Sequence, residues 1–170
     1  MIKLKKILPL FIAFILVISC KTNKFSFLDD YPVKNIPLVD STSFSNHIEG
    51  KLLNKKEQKL LGLLNVFGEE LNSENAKVGV SYLPIISDNF KSVVYYLYSN
   101  STQLTCALVN YNLDFNIISS QLVSSDEIAD GLLRSKATIY KDKIVLKEYV
   151  SDNASTIMYN ILENGDITRE

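Results

Sequence analysis

The side chains in this sequence that could do chemistry are few and scattered. It holds one histidine, His47, and two cysteines, Cys20 and Cys106. A zinc site needs several nitrogen, sulfur or carboxylate ligands converging on one point, and a serine nucleophile needs a histidine held against it. His47 stands in Ser45-Asn46-His47-Ile48-Glu49, outside any His/Cys ligand spacing, and reads as a surface histidine. Carboxylates stand together at Asp29-Asp30, at Glu69-Glu70, and at Asp126-Glu127 with Asp130. Such groups serve glycoside hydrolysis or calcium when they face one another across a cleft or line a dedicated loop. As sequence neighbours they face solvent, and Asp126, Glu127 and Asp130 are the one set placed to touch a cation. Gly79-Val80-Ser81 lacks the second glycine of a nucleophile elbow and lies in a strand-like run. The expectation is a non-enzymatic chain with no catalytic residue, metal or cofactor.

Tyrosines offer a different chemistry. Tyr95, Tyr96 and Tyr98 lie in one apolar run, with Tyr82 and Tyr111 in neighbouring ones. Strand alternation sends Tyr95 to one face with Val93 and Leu97, and Tyr96 and Tyr98 to the other with Val94. If that second face is open to water, Tyr96 and Tyr98 form a binding surface of rigid apolar rings with polar tips. If the sheet is covered on both sides, they are core.

The N-terminus carries a sharper signal. Met1 to Lys6 places three lysines before the apolar run Ile7 to Ile18, the layout of an export signal. As a helix that run rises about 18 Å, well short of the roughly 30 Å hydrocarbon core of a bilayer. It ends in Val17-Ile18-Ser19-Cys20, which resembles the lipobox of bacterial lipoproteins. The resemblance covers the first 20 residues. It implies cleavage before Cys20, a diacylglyceryl group on its sulfur and an acyl group on its new amine. Two or three chains anchor a protein stably where one does so only marginally. Lys21 stands where an aspartate retains many lipoproteins in the inner membrane, and no acidic cluster follows; both favour an outer membrane anchor facing the periplasm.

Removing residues 1–19 leaves 151 residues with a net charge of -4, an ordinary globular composition. An acidic remainder with no basic block argues against a nucleic-acid partner. Lipidation of Cys20 leaves Cys106 alone, so no intramolecular disulfide forms, and Cys106 reads as a small core hydrophobe within Leu104-Thr105-Cys106-Ala107-Leu108-Val109. We divide the chain into a signal peptide over 1–19, a lipidated tether over 20–24 and a single β-rich domain over 25–170.

The elements that position these side chains follow from periodicity. Residues 21–50 show no sustained period and read as an extended segment laying Phe25, Phe27, Leu28, Ile36, Leu38 and Phe44 on the domain. Asp40-Ser41-Thr42 matches a short aspartate-led O-glycosylation site used on some exported Bacteroidetes proteins, but a three-residue match carries little weight and the stretch reads better as an ordinary turn. Asn54 and Glu57 have the spacing of a capping box, and Leu60, Leu64, Phe67 and Leu71 follow as one helical face, with Gly62 and Gly68 weakening the helix. From Lys77 the period shortens to two. Strands are predicted over 77–86, 91–99, 103–111, 115–123, 134–140, 143–150, 155–162 and 166–169, with Ser125 to Asp130 as a helical turn or loop. Asn164-Gly165 is a strong hairpin signal.

Short links demand antiparallel neighbours. The predicted fold class is mainly β, a β-rich α+β arrangement in which an antiparallel meander curls as a sandwich or partial barrel against one amphipathic helix. The strand-rich half also resembles small Bacteroidetes lipoproteins, whose sheet cadence Tyr111 to Ile118 keeps without its usual glycine and Leu162 to Ile167 matches at its end. That resemblance implies no activity and no functional residues. The functional expectation is a lipid-anchored envelope protein, a binding or assembly module whose partners are the membrane, through Cys20, and an envelope protein. The alternatives are a small-ligand or lipid binder with a cavity in the curled sheet, and an envelope immunity or inhibitor protein.

Overall fold

The structure, a computed structural model, describes residues 26–47, 50–127 and 133–170. Cys20 with the whole leader, Phe25, and Ile128 to Asp130 lie outside the described residues. The chain divides after Asp30 into two compact units. In the first, Ser26–Asp30 forms a 3-10 helix, η1.

The second unit is one open ten-stranded sheet. Its strands are β1 (Val33–Asn35), β2 (Leu38–Asp40), β3 (Lys77–Ile85), β4 (Lys91–Asn100), β5 (Gln103–Tyr111), β6 (Ile117–Glu127), β7 (Leu133–Ile139), β8 (Lys143–Val150), β9 (Asn153–Ile161) and β10 (Ile167–Arg169). From β3 to β10 each strand pairs antiparallel with the next, the predicted meander. Three features depart from the prediction. β1 adds a parallel edge to β3, β2 pairs with β7, and of the segment predicted as a helical turn or loop over Ser125 to Asp130, the described part to Glu127 continues β6 as strand. Strands make up 53% of the chain and helices 14%, and the sheet does not close into a barrel.

β6 is where the sheet folds over. Its register against β5 shifts between Cys106 and Ala107 and again between Asn110 and Tyr111, bulges that bend a strand and raise its twist. Among the described residues it then pairs with β7 at Ser125 and Asp126. Beyond that the two strands part, and β2 takes the vacant edge of β7, with Leu38, Val39 and Asp40 opposite Ile139, Thr138 and Ala137. The core therefore draws on both halves of one sheet. Tyr82, Val94, Tyr96, Leu104, Cys106 and Leu108 of β3–β5 share a buried cluster with Val123, Ala137, Ile139, Ile144, Leu146 and Ile161 of β6–β9.

The helical segment covers the opposite face of β3–β5. Asn54 caps α1 (Lys55–Leu60) with a full capping box: its Oδ1 accepts from the N–H groups of Lys56 and Glu57, and Glu57 Oε2 accepts from Asn54 N–H. The single helix predicted from Leu60, Leu64, Phe67 and Leu71 is broken. Gly62 adopts φ +67, so α2 (Leu64–Phe67) restarts on a new phase, and η2 (Gly68–Asn72) follows through Gly68 at φ +58. The apolar face changes accordingly. Leu61, Leu63, Phe67 and Leu71 are buried, while Leu60 and Leu64 are exposed. β4 is thus buried on both sides, and its run from Val93 to Leu97 is wholly solvent-free.

Candidate functional site

One cluster of buried polar groups surrounds Asp40. Sequence neighbours place this aspartate in a Ser/Thr-rich stretch that suggests a turn, and Thr42 N–H does donate to Asp40 Oδ1 at 3.0 Å. β2 nevertheless carries the carboxylate inside, where it is 2% exposed. Tyr82 Oη donates to Asp40 Oδ2 at 2.6 Å, and Ser124 Oγ donates to Asp40 Oδ1 at 2.8 Å. Three donors from three segments satisfy the charge, as a buried carboxylate requires. Burial, reinforced by the negative Asp40, pushes the Tyr82 phenol far above its ordinary value. The same two causes push the Cys106 thiol up to about 12. Cys106 is fully buried, as the sequence suggests, and its protonated sulfur is inert as a nucleophile near neutrality. The cluster fastens β2 to β3 and β6.

A second carboxylate is tied in the same way. Asp126 Oδ1 accepts from Arg134 Nε at 3.0 Å, and its Oδ2 accepts from Phe44 N–H at 3.0 Å. Asp126, expected to face solvent with a cation contact as the alternative, is instead buried, and its oxygens hold the N-terminal segment and β7. Asp130 lies outside the described residues. Among the described residues no group of three histidine, cysteine or carboxylate side chains converges on a metal position.

The tyrosine surface is reorganised by that same N-terminal segment. Tyr96 is fully buried and Tyr98 half-buried, so the pair is not an open platform. Phe44 packs on Tyr98 with ring centroids 5.6 Å apart, and His47 packs edge-on against Tyr96 at 4.3 Å and Tyr98 at 5.3 Å. His47 belongs to this aromatic cluster and is not a solvated loop residue. The packing of Phe44 on the domain was expected from the sequence, but its place over Tyr98 and the part played by His47 were not, because residues 41–47 have no strand or helix period. Tyr95 lies on the other face, under the helical segment, beside Tyr111. Tyr111 Oη is 3.2 Å from Tyr95 Oη and donates to Leu61 O at 2.9 Å; burial raises both phenols.

Two surface features stand out among the described residues. The first is a groove of about 940 Å³ at one end of the folded sheet, with Ile36, Ile86, Phe90 and Ile161 below and Asp88 and Lys141 at its rim. Its neighbour is a buried node in which Asn110 Nδ2 donates to Gly165 O at 2.8 Å while Ser92 Oγ donates to Asn110 Oδ1 at 2.8 Å. The second is the outer face of β7, β8 and β9. Ala137, Ile139, Ile144 and Leu146 point into the core, so by alternation Lys136, Thr138, Val145 and Lys147 point away from it. Among the described residues no helix is long and apolar enough to cross a membrane. The chain matches no family model, no curated protein and no solved structure at a significant level.

Proposed function

We propose that the chain is a lipid-anchored cell-envelope protein, held at the outer membrane on its periplasmic side, whose β-rich domain works as a binding or assembly module and not as a catalyst. The carrying observation is the Val17-Ile18-Ser19-Cys20 run behind a cationic, apolar leader. A leader too short to span, ending at a cysteine that takes acyl chains, puts a folded domain at a bilayer surface without a transmembrane helix. The domain supports the module reading through its buried chemistry. Asp40 and Asp126 accept hydrogen bonds from neighbouring segments and so hold the fold together, and the Cys106 thiol is buried in the core.

Metabolic labelling with an alkyne-tagged fatty acid tests the anchor. The wild-type chain should take the label and partition with membranes, and Cys20→Ala should lose both. A labelled Cys20→Ala chain, or membrane partitioning of a cleaved one, would overturn the reading.

The groove favours a second reading, a small-ligand binder. Its volume of about 940 Å³ lies within the range of small-molecule sites, and its apolar floor with a polar rim suits a lipid or sugar derivative. Native mass spectrometry of the purified chain decides between them. A co-purifying ligand mass that disappears with Ile85→Asp, at an exposed position lining the groove, would favour the groove, and the bare chain mass would remove it.

A further inference from the structure

The outer face of β7–β9 has an unusual composition for a chain of net charge -1. Cross-strand register sorts it into rows. Lys136 stands opposite Lys147, which stands opposite Thr156. The next row runs Val39, Thr138, Val145, Met158 across β2, β7, β8 and β9. Beyond it lie Tyr140 and Lys143, joined by Tyr140 N–H donating to Lys143 O at 2.8 Å, and on the far side Arg134 faces Tyr149. Neighbouring rows are about 7 Å apart and strands about 4.8 Å apart, so the face is a compact plate.

Its chemistry is one-signed. The outward positions of β7, β8 and β9 carry Arg134, Lys136, Lys143 and Lys147 and no carboxylate. Arg134 is paired with Asp126, whereas among the described residues no carboxylate lies within ion-pair distance of the three lysines. Lys136 Nζ sits 5.2 Å from the Tyr149 ring and Lys143 Nζ 5.6 Å from the Tyr140 ring, which gathers cations and aromatic rings together. Between the cationic rows the apolar strip is exposed, Val39 at 61% and Met158 at 43%.

We infer that this face docks on a bilayer surface rich in anionic lipid, the lysines meeting headgroup phosphates and the Val39–Met158 strip entering between them. Charge complementarity selects an anionic partner, and the apolar strip with flanking tyrosines selects a headgroup layer over a soluble polyanion, because only the layer offers a wet charged plane over an apolar interior. The choice of a bilayer also rests on the proposed anchor at Cys20, which would hold the domain at such a surface. Docking would lay the domain down on its open face and leave the groove and the helical side toward solvent-borne partners.

The test uses the full chain carrying Cys20→Ala and Met158→Cys, labelled with a polarity-sensitive thiol fluorophore; buried Cys106 escapes the reagent. Because the label sits on the face, attachment through the leader does not mimic docking. With phosphatidylglycerol vesicles the emission should shift to the blue, with neutral phosphatidylcholine vesicles it should not, and about 0.5 M salt should reverse the shift. Lys136→Glu with Lys147→Glu should raise the lipid needed for half the signal at least roughly twenty-five-fold, about fivefold for each cation. Thr156→Glu, an exposed position in the same row, should weaken docking without removing a lysine. No shift with anionic vesicles, an equal shift with neutral ones, or a shift kept by the double variant would overturn the inference. A shift with heparin and none with vesicles would reassign the face to a soluble polyanion. Absence of fatty-acid labelling in the wild-type chain, with the shift retained in the Cys20→Ala test chain, would sink the anchor alone.

Discussion

The Tyr96 ring lies across the backbone of Gly79, its cross-strand partner on β3: a Cβ at Gly79 would stand 2.6 Å from Tyr96 Cε1. Glycine inside a strand gives up packing and adds chain entropy, and here the aromatic ring occupies the missing side chain's place. Phe44 and His47 then close over Tyr98 and Tyr96.

Gly79→Ala should therefore destabilise the domain by about 2–3 kcal/mol through overpacking, read by urea denaturation. Tyr96→Leu in the Gly79→Ala background should recover part of that loss, because the clash is with the ring. Additive costs in the double mutant would contradict the contact.

The Asp40 carboxylate accepts from Tyr82, Ser124 and Thr42. Asp40→Ala strands three donors in the core and should cost about 3–5 kcal/mol, with Asp40→Asn keeping part of the network and costing less. A Tyr82→Phe variant combined with Asp40→Ala should cost less than the two changes summed, measured as a double-mutant cycle.

Stability should fall in alkali. Burial raises the Cys106 thiol to about 12 and lifts the Tyr82, Tyr95 and Tyr111 phenols above their ordinary values. A group whose pKa is raised by folding contributes stability that is whole below its unfolded pKa and drains away as pH rises above it. The loss should start with the thiol near pH 9, at up to about 1.4 kcal/mol per pH unit, and steepen as the phenols join above about 10. Cys106→Ala should remove the onset near pH 9 and leave the later, phenolic loss. An unchanged unfolding free energy between pH 8 and about 11 would refute the account.

Gly62 and Gly68 both hold positive φ, but their surroundings differ. A Cβ on Gly62 would meet Ile117 Cδ1 at 2.9 Å, and one on Gly68 would meet nothing within 4 Å. Gly68→Ala should cost about 1–2 kcal/mol from the backbone alone, and Gly62→Ala should cost more. Equal melting-temperature losses would show that Ile117 gives way freely.

Much of the sheet was legible from residue order. From Lys77 to Arg169 the two-residue alternation and polar turns locate eight strands to within a few residues, and Asn164-Gly165 falls at the last hairpin, where Gly165 takes φ +93 against Phe90 and Ile118. The helix break was only partly legible. Gly62 signals weakness, but which leucines are buried depends on the phase after the break, and phase is a tertiary outcome. β2 was hidden altogether, since three residues carry no period, and a buried aspartate is visible only through donors more than forty residues away. That same segment decides the fate of Tyr96, for the face left open by alternation is closed by residues 44–47. The outer face of β7–β9 was present in the strand boundaries all along. Its single sign of charge emerges once the register aligns Lys136 with Lys147.

β2 also orders events in time. Its partners are β7 for the backbone and Ser124 for the Asp40 carboxylate, and just beyond it Asp126 takes the Phe44 amide, contacts that all span more than eighty residues. A chain emerging N-terminus first makes this segment early and has nowhere to put it until β6 and β7 arrive. Closing so long a loop costs entropy that no local contact repays, so the segment enters after the β3–β5 meander has formed from its hairpins. The last piece of the core to be seated is thus synthesised before every strand it seats against, and until it seats, Tyr96, Tyr98 and Cys106 remain within reach of water.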